Sequence, residues 1–232
     1  MKREELYGRT ERLLKKEGMD RLKNAHVLLF GVGGVGSYCL EALARSGIGA
    51  ITVVDADTVA PSNINRQLVA DISTVGRDKV EVARERILAV NPECKVECKK
   101  LLYLPECSGD FDFSAYDYIV DAIDNVSAKL SLVTEAARAG TKIISAMGTG
   151  NKLCPEMLEI TDISKTSVCP LARVMRTELR KRGIHHLKAV YSKEEPLRSA
   201  DGERIIGSVS FVPSVAGLLM AAEVIKDIAN CK

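Results

Sequence analysis

No stretch of the chain reaches the roughly 18 unbroken apolar residues expected of a membrane-spanning helix. The most apolar segment, Val212 to Ile228, is interrupted by Pro213, Gly217, Glu223, Lys226 and Asp227, so no membrane contact is expected. The start, Met1-Lys2-Arg3-Glu4-Glu5, is charged with no apolar run behind it and does not read as a signal peptide. The expected location is the cytoplasm. An excess of one charge is missing too. With 33 basic and 31 acidic side chains the net charge is +2, which argues against a strong non-specific grip on nucleic acid or an anionic surface and leaves only local patches. The 7 cysteines are scattered and never spaced Cys-x-x-Cys, which argues against a four-cysteine zinc site. A disulfide framework is not expected in a chain of this size without a secretion signal. Internal repeats and low-complexity segments are absent as well.

What is present is the balance of a globular protein, 46% hydrophobic and 28% charged, in 232 residues that suit one large domain or a compact domain with an added lobe. Glu4 to Lys16 reads as a charged amphipathic helix. His26 to Phe30, Ala50 to Val54 and Tyr118 to Val120 are short apolar runs fit for buried strands, and Lys142 to Ser145 continues the series. Between them, Ser37 to Arg45, Val75 to Val90 and Val126 to Ala139 carry helical spacing, the first ended by Gly47 and the last by Gly140. Lys95 to Leu101 alternates as an exposed strand does. This alternation predicts an α/β fold, a Rossmann-like open sheet, mostly parallel, with helices on both faces. Beyond it, strands at Met157 to Ile163 and Leu187 to Ser192, helices at Pro170 to Arg182 and Pro213 to Ala229, and a polar loop from Ser192 to Gly207 predict a smaller C-terminal mixed extension.

Gly31-Val32-Gly33-Gly34-Val35-Gly36 lies between a predicted strand and a predicted helix. Residues without Cβ let the backbone turn tightly and approach a phosphate, and the helix start offers unpaired N–H groups to an anion. Asp55, at the end of the next strand, is placed to accept ribose hydroxyls. These features alone fit a nicotinamide dehydrogenase as well as any other nucleotide-binding protein. The next segment, Asp55-Ala56-Asp57 followed by Asn63-Ile64-Asn65-Arg66-Gln67, is not needed by a dehydrogenase. Arginine suits a triphosphate because its fork pairs bidentately with phosphate oxygens. Lys79 falls in the first turn of its helix, where a cation is disfavoured unless an anion is near. The third strand ends in Asp121-Ala122-Ile123-Asp124-Asn125, at the edge where open α/β sheets bind ligands. An acid there is placed to hold Mg²⁺. Asp124 reads equally as a helix N-cap, and Asp121 as structural.

In this order and spacing the motifs resemble the E1-like adenylating superfamily, which includes the molybdopterin- and thiamine-pathway activators of ubiquitin-like sulfur carriers. The resemblance implies ATP and Mg²⁺ as cofactors and a single E1-like adenylation domain over residues 1–232, with 1–24 as a helical arm, 25–150 as the nucleotide-binding core and 151–232 as an extension on the substrate or dimer side. It implies that Gly31, Gly33, Gly34 and Gly36 cradle the nucleotide with Gln67 and Asn125 beside it. Asp55 would hold the ribose, Asp57, Asn65, Arg66 and Lys79 the triphosphate, and Asp124 the metal. Arg9 resembles the N-terminal arginine that such enzymes reach into a partner subunit's site, with Arg12 as the alternative, which implies a homodimer. Arg9, Asn65, Arg66, Lys79 and Asp124 would carry the catalysis.

The zinc cysteine pairs usual in sulfur-carrier activators are missing. Asp162-Ile163-Ser164-Lys165-Thr166, Pro170-Leu171-Ala172-Arg173, Leu179-Arg180-Lys181-Arg182-Gly183, Tyr191-Ser192-x-Glu194-x-Pro196 and Gly207-Ser208-Val209-Ser210-Phe211-Val212-Pro213 are similar to another branch, the tRNA threonylcarbamoyladenosine dehydratases. The chemistry this implies is adenylation of a carboxylate on the modified adenosine next to the anticodon of tRNA. A group of the same side chain then closes a ring, with expulsion of AMP and net loss of water. The tRNA would meet a basic stripe of Arg173, Arg176 and Arg180, followed by Lys181, Arg182, His185, His186 and Lys188. The same residues also fit a plain solvated face. Cys169 stands where this branch often has an acid, and reads either as a reactive thiol at a helix start or as a neutral cap substitute. A sulfur-transfer or redox protein is a further expected partner. The competing readings are adenylation of the C-terminal glycine of a sulfur carrier, a nicotinamide oxidoreductase, and a non-catalytic nucleotide-binding scaffold.

Overall fold

The computed structural model describes residues 3–197 and 206–231. In chain order the elements are α1 (Arg3–Asn24), β1 (His26–Phe30), α2 (Gly36–Arg45), β2 (Ala50–Val54), α3 (Lys79–Val90), β3 (Lys95–Lys99), β4 (Tyr118–Asp121), α4 (Val126–Ala139), β5 (Lys142–Ala146), β6 (Leu158–Asp162), α5 (Pro170–Lys181), β7 (Lys188–Ser192) and α6 (Phe211–Ala229). The strands make one 7-stranded sheet in the order β3-β2-β1-β4-β5-β7-β6. Neighbours run parallel, except that β6 is antiparallel to β7. The expected mixed C-terminal extension is thus a continuation of the same sheet: β7 joins β5 in parallel, and β6 closes the edge.

Both faces of the sheet are covered, as the unbroken apolar strands require. Alternate residues of β1 enter separate cores. Val27 and Leu29 pack with Leu40 and Leu43 of α2, Val80 and Ile87 of α3, and Met220 and Val224 of α6. Leu28 and Phe30 pack under Leu132 and Ala136 of α4 with Tyr103, Phe111 and Phe113. Met175 and Leu179 of α5 extend that face against Leu130, Val133 and Tyr191. The aromatic group comes from a stretch in which sequence periodicity shows no element. It is built by 3-10 turns at Pro105–Asp110 and Phe113–Ala115, with the Phe30 ring 4.8 Å from Tyr103 and 5.3 Å from Phe111.

Several boundaries differ from the periodicity, each for a local reason. Helix α1 runs on to Asn24 through a kink at Lys15, whose φ of 60° breaks the helical path, so that Met19 and Leu22 reach the core. Helix α3 starts at Lys79 rather than Val75, because Gly76 sits at φ 86° and Asp78 is extended. Much of the predicted Ser192 to Gly207 loop, residues 198–205, lies outside the described residues.

The small residues of α6 pack inside. Ala216, Gly217 and Ala221 are buried, whereas Ala222 is exposed. A Cβ on Gly217 would lie 2.2 Å from the Val35 carbonyl oxygen, so this glycine sets how closely α6 approaches the start of α2. Gly217→Val replaces a helix-weakening residue, a gain below about 1 kcal/mol, but overpacks the contact at a cost of about 3 kcal/mol. The net expectation is a lower urea midpoint, and an unchanged midpoint would contradict the close contact.

Candidate functional site

The carboxyl ends of β1, β2 and β4 meet where the strand order reverses, the position at which open α/β sheets form a ligand crevice. The glycine loop lies there. Gly31 has φ 88°, and a Cβ on it would come 2.7 Å from the Ala122 carbonyl oxygen; one on Gly36 would come 1.8 Å from the Gly31 oxygen. The chain's own packing therefore demands glycine at both ends of the loop. Gly33 differs. Among the described residues a Cβ there would meet nothing closer than the Gln67 amide nitrogen, at 4.0 Å, so space is left over it that these residues do not fill. Helix α2 begins behind this loop without a side-chain cap, so its first-turn dipole is available to an anion.

The acids of β2 hold this loop and its neighbour in place. Asp55 accepts from the Val32 N–H at 2.6 Å and from the Asp57 N–H at 2.8 Å. It anchors the glycine loop to the strand end, and an ionised carboxylate, with about four lone-pair sites, keeps capacity for a further donor. Asp57 is 67% exposed and pairs at 2.8 Å with Lys79, whose side chain is only 5% exposed. Lys79 is the first residue of α3, where an ammonium is opposed by the helix dipole. Asp57 offsets that here.

The Asn63-to-Gln67 cluster folds back onto the glycines. A 3-10 turn at Pro61–Asn63 is closed by the Asn63 side chain, which accepts from the Ala60 N–H at 3.0 Å. Arg66 donates through Nη1 to the Ser62 carbonyl at 2.9 Å and to Asn65 Oδ1 at 2.8 Å, and its Cγ would lie 3.4 Å from a Cβ on Gly34. Asn65 Nδ2 donates to the Ser208 carbonyl at 3.0 Å. Gln67 is buried, and its Oε1 has no hydrogen-bond partner among the described residues. A buried amide oxygen without a donor is costly unless a ligand or water supplies one. A glycine cradle open toward the bare start of α2, with Arg66 packed by its Cγ against Gly34, is a place that fits phosphate, and the Gln67 oxygen beside it calls for a donor such as a nucleotide hydroxyl or amino group or a water.

At the end of β4 the cap belongs to Asn125, not Asp124. Asn125 Oδ1 accepts from the Ala128 N–H at 3.0 Å. That leaves its amide nitrogen as the part with capacity for a ligand, and leaves Asp124 exposed with no hydrogen bond among the described residues. Asp121 is structural: it and Lys129 form a fully buried pair at 2.9 Å, each side chain 0% exposed. Lys129 also donates to the Ile123 carbonyl at 3.1 Å, and Ser145 donates to Asp121 at 2.6 Å. Lys129 escapes a reading of motifs, yet it has a signal: it interrupts the apolar stripe of Val126, Leu130 and Val133 on α4. Among the described residues no group of three or more His, Cys, Asp or Glu is arranged for a metal. A cation at Asp124 would need other oxygens, such as those of phosphates.

The remaining expected residues fare differently. Arg9 and Arg12 are exposed on α1, and no bond within the described chain joins them to the strand ends. The expected basic stripe is only partly available. Arg176 turns inward and donates to Thr166 O at 2.9 Å and Thr166 Oγ1 at 2.6 Å, acceptors in the chain just before α5. Lys188 is held by Glu223 and Asp227, Lys181 and Arg182 by Glu178, and His186 lies 3.2 Å from Asp162. Arg173, Arg180 and His185 stay exposed without an ion pair among the described residues. Cys169 occupies the N-cap of α5 but makes no capping bond, and packs instead with Met147 and Ala172. Burial pushes the Cys39 thiol well up, and Cys94 and Cys98 up to about 11, which keeps these three protonated at neutral pH. A cleft of about 670 Å³ with Asn24, Tyr116, Asp117 and Lys142 in its wall lies at the opposite, amino end of β1, β4 and β5. It is remote from the glycine loop.

A model of the ThiF family matches residues 7–232. The tRNA threonylcarbamoyladenosine dehydratase of Bacillus subtilis (strain 168) is 42% identical over 238 residues, spanning 96% of this chain and 94% of that protein. The protein of the same name from Haemophilus influenzae is 43% identical over 178 residues, spanning 77% and 68%. The crystal structure of E. coli tRNA N6-threonylcarbamoyladenosine dehydratase in complex with ATP superposes with a TM-score of 0.91 at 32% identity, over 98% of this chain and 95% of that one.

Proposed function

This chain belongs to the ThiF family, and from that premise we propose that it catalyses the ATP-dependent dehydration of N6-threonylcarbamoyladenosine in tRNA. The observation that carries the nucleotide half of this reading is the open face of Gly33 beside the unsatisfied Gln67 amide. The acceptor half rests on the likeness to dehydratases along nearly the whole of both chains.

The reaction begins with a poor electrophile, a carboxylate. Its oxygen attacks the α-phosphorus of ATP, pyrophosphate leaves, and an acyl adenylate forms. A nitrogen or oxygen of the same side chain then attacks the acyl carbon, gives up its proton, and AMP departs with the former carboxylate oxygen. The sum of both steps is loss of water. No protein nucleophile is required, so positioning and charge stabilisation are what the chain must supply. The glycine loop and the start of α2 would face the phosphates. Arg66 would swing its fork from the Ser62 carbonyl onto phosphate oxygens, and Lys79 would exchange its bond to Asp57 for one to phosphate. Asp55 would use its spare lone pairs on the ribose. A Mg²⁺ ion would neutralise phosphate charge when bound, with Asp124 as its protein ligand.

On this reading residues 1–232 act as one adenylation domain, supported by the single continuous sheet. Arg9 would act across a homodimer, supported by its exposure on α1. Arg173, Arg180 and His185 would be the part of the basic stripe that meets tRNA phosphates.

The test is incubation with ATP, Mg²⁺ and tRNA bearing the threonylcarbamoyl group, followed by measurement of AMP and of the nucleoside mass. AMP release together with loss of one water from the nucleoside is expected. No AMP with this tRNA, but pyrophosphate exchange with a sulfur-carrier C-terminus, would replace the proposal with the carrier-activating alternative.

A further inference from the structure

Asn151 stands in the irregular chain after β5, outside every motif that marks the nucleotide site. Its backbone is left-handed, with φ 56°, a conformation that asparagine tolerates better than most residues. Three of its polar groups are used on one distant stretch of chain. Its N–H donates to the Gly207 carbonyl at 2.8 Å, and its Oδ1 accepts from the Gly207 N–H at 2.6 Å. Its own carbonyl accepts from the Leu197 N–H at 2.7 Å. A single residue thus ties together both ends of the stretch from Leu197 to Gly207. Gly150 lets this happen, since a Cβ there would come 2.2 Å from the Ile206 side chain.

The tie leads directly into the nucleotide site. The residue after Gly207 is Ser208, whose carbonyl accepts from Asn65 Nδ2 at 3.0 Å. Asn65 Oδ1 in turn accepts from Arg66 Nη1 at 2.8 Å. An amide side chain free at its nitrogen end can turn and withdraw its oxygen. With the nitrogen held by Ser208, the oxygen stays on the guanidinium, and the position of the Ser208 carbonyl depends on Gly207, whose N–H and carbonyl Asn151 holds together.

We propose that Asn151 is a positioning residue for adenylation, acting through Gly207, Ser208 and Asn65 on the orientation of Arg66. The proposal rests on the nucleotide-binding reading of Arg66, but not on the identity of the acceptor. A second bond set in the same region is separate from it: Lys152 donates to the Glu194 carbonyl, and Glu194 accepts from Leu153 and Cys154. Burial raises the Glu194 carboxyl, but those two N–H groups, together with the Lys152 charge and the Cys154 thiol, hold the group below its usual range. This set secures the loop against the end of β7 and, among the described residues, makes no bond to Asn65 or Arg66.

The experiment measures ATP affinity by titration calorimetry, AMP formation, and thermal stability for four variants of the full chain. Asn151→Gly keeps the left-handed backbone and removes the acceptor. It is expected to weaken ATP binding or slow AMP formation by about tenfold, the worth of a hydrogen bond, with the melting temperature nearly unchanged. Asn151→Asp retains the acceptor oxygen and is expected to restore most of the loss. Asn65→Ala should cost at least as much as Asn151→Gly, and the double variant should be no worse than Asn65→Ala alone. Multiplying effects in the double variant would overturn the proposal, as would an Asn151→Gly protein that melts earlier but binds and turns over ATP normally. If wild-type protein binds ATP yet forms no AMP with the modified tRNA, the acceptor assignment fails while the affinity cycle still decides the role of Asn151.

Discussion

Arg66→Ala and Lys79→Met are each expected to lower the rate of AMP formation by about a hundred- to a thousandfold, the usual loss when one preorganised charge-stabilising donor is removed, with little loss of stability. The case for Lys79 turns on what its burial costs. Its ammonium is taken out of water at the start of α3 and, among the described residues, has only the exposed Asp57 as a partner. As a structural pair this arrangement gains little, because an isostere of similar volume commonly serves as well or better. Lys79→Met should therefore fold at least as well as wild type, and Asp57, 67% exposed, is resolvated without penalty. A lysine that exists only to hold Asp57 would leave turnover intact in that variant. A lysine kept for a phosphate would not. Arg66→Lys separates charge from shape: it retains the cation but loses the planar fork, so its rate should fall between wild type and Arg66→Ala. Single-turnover AMP formation beside a melting curve reads both quantities. Full activity in Lys79→Met would remove Lys79 from the site.

The second large effect is on folding. Lys129→Met should destabilise the protein by about 3–5 kcal/mol, the range for breaking a buried ion pair by removing one partner. Asp121 would be left at 0% exposure with, among the described residues, only the Ser145 hydroxyl and the Ile123 N–H at 3.4 Å around its charge. Replacing both members, as Lys129→Met with Asp121→Leu, should recover much of that loss, since an apolar pair of similar volume needs no partner. Activity should not recover with it. Lys129 also binds the Ile123 carbonyl, directly before Asp124, so the double variant folds with an untethered strand end. Urea denaturation gives the stabilities and AMP formation gives the function. Wild-type stability in Lys129→Met would show that the pair is not formed as described.

Much of the fold is legible from local pattern. The strands β1 and β2 and the helix α4 fall where continuous apolar runs and helical spacing predict them, and Gly140 ends α4 in the left-handed conformation that favours glycine. The elements that differ are those whose cause is not periodic. The kink falls at Lys15 itself, whereas the nearest glycine, Gly18, lies three residues on within the continued helix. The aromatic group under Phe30 assembles from turns, and turns have no period.

The candidate site divides along the same line. The glycine loop, the acid at the end of β2 and the polar cluster after it are short-range features, because tight turns and strand ends impose residue types within a few positions. Which charges remain available is a different matter. Arg176 and Lys188 resemble Arg173 and Arg180 in sequence, yet the first two are bound by Thr166 and by Glu223 and Asp227, contributed by other parts of the chain. Asn125 rather than Asp124 takes the helix cap because its side chain, not its neighbour's, reaches the Ala128 N–H. Asn151 is linked to Arg66 through Gly207, Ser208 and Asn65, residues far from it in sequence. The amino-acid order by itself determined where the strands β1 and β2 and the helix α4 lie and that a glycine loop joins β1 to α2. Only the tertiary structure decided which polar side chains are already satisfied, since hydrogen bonds and ion pairs are formed in space with whatever partner packing brings within reach.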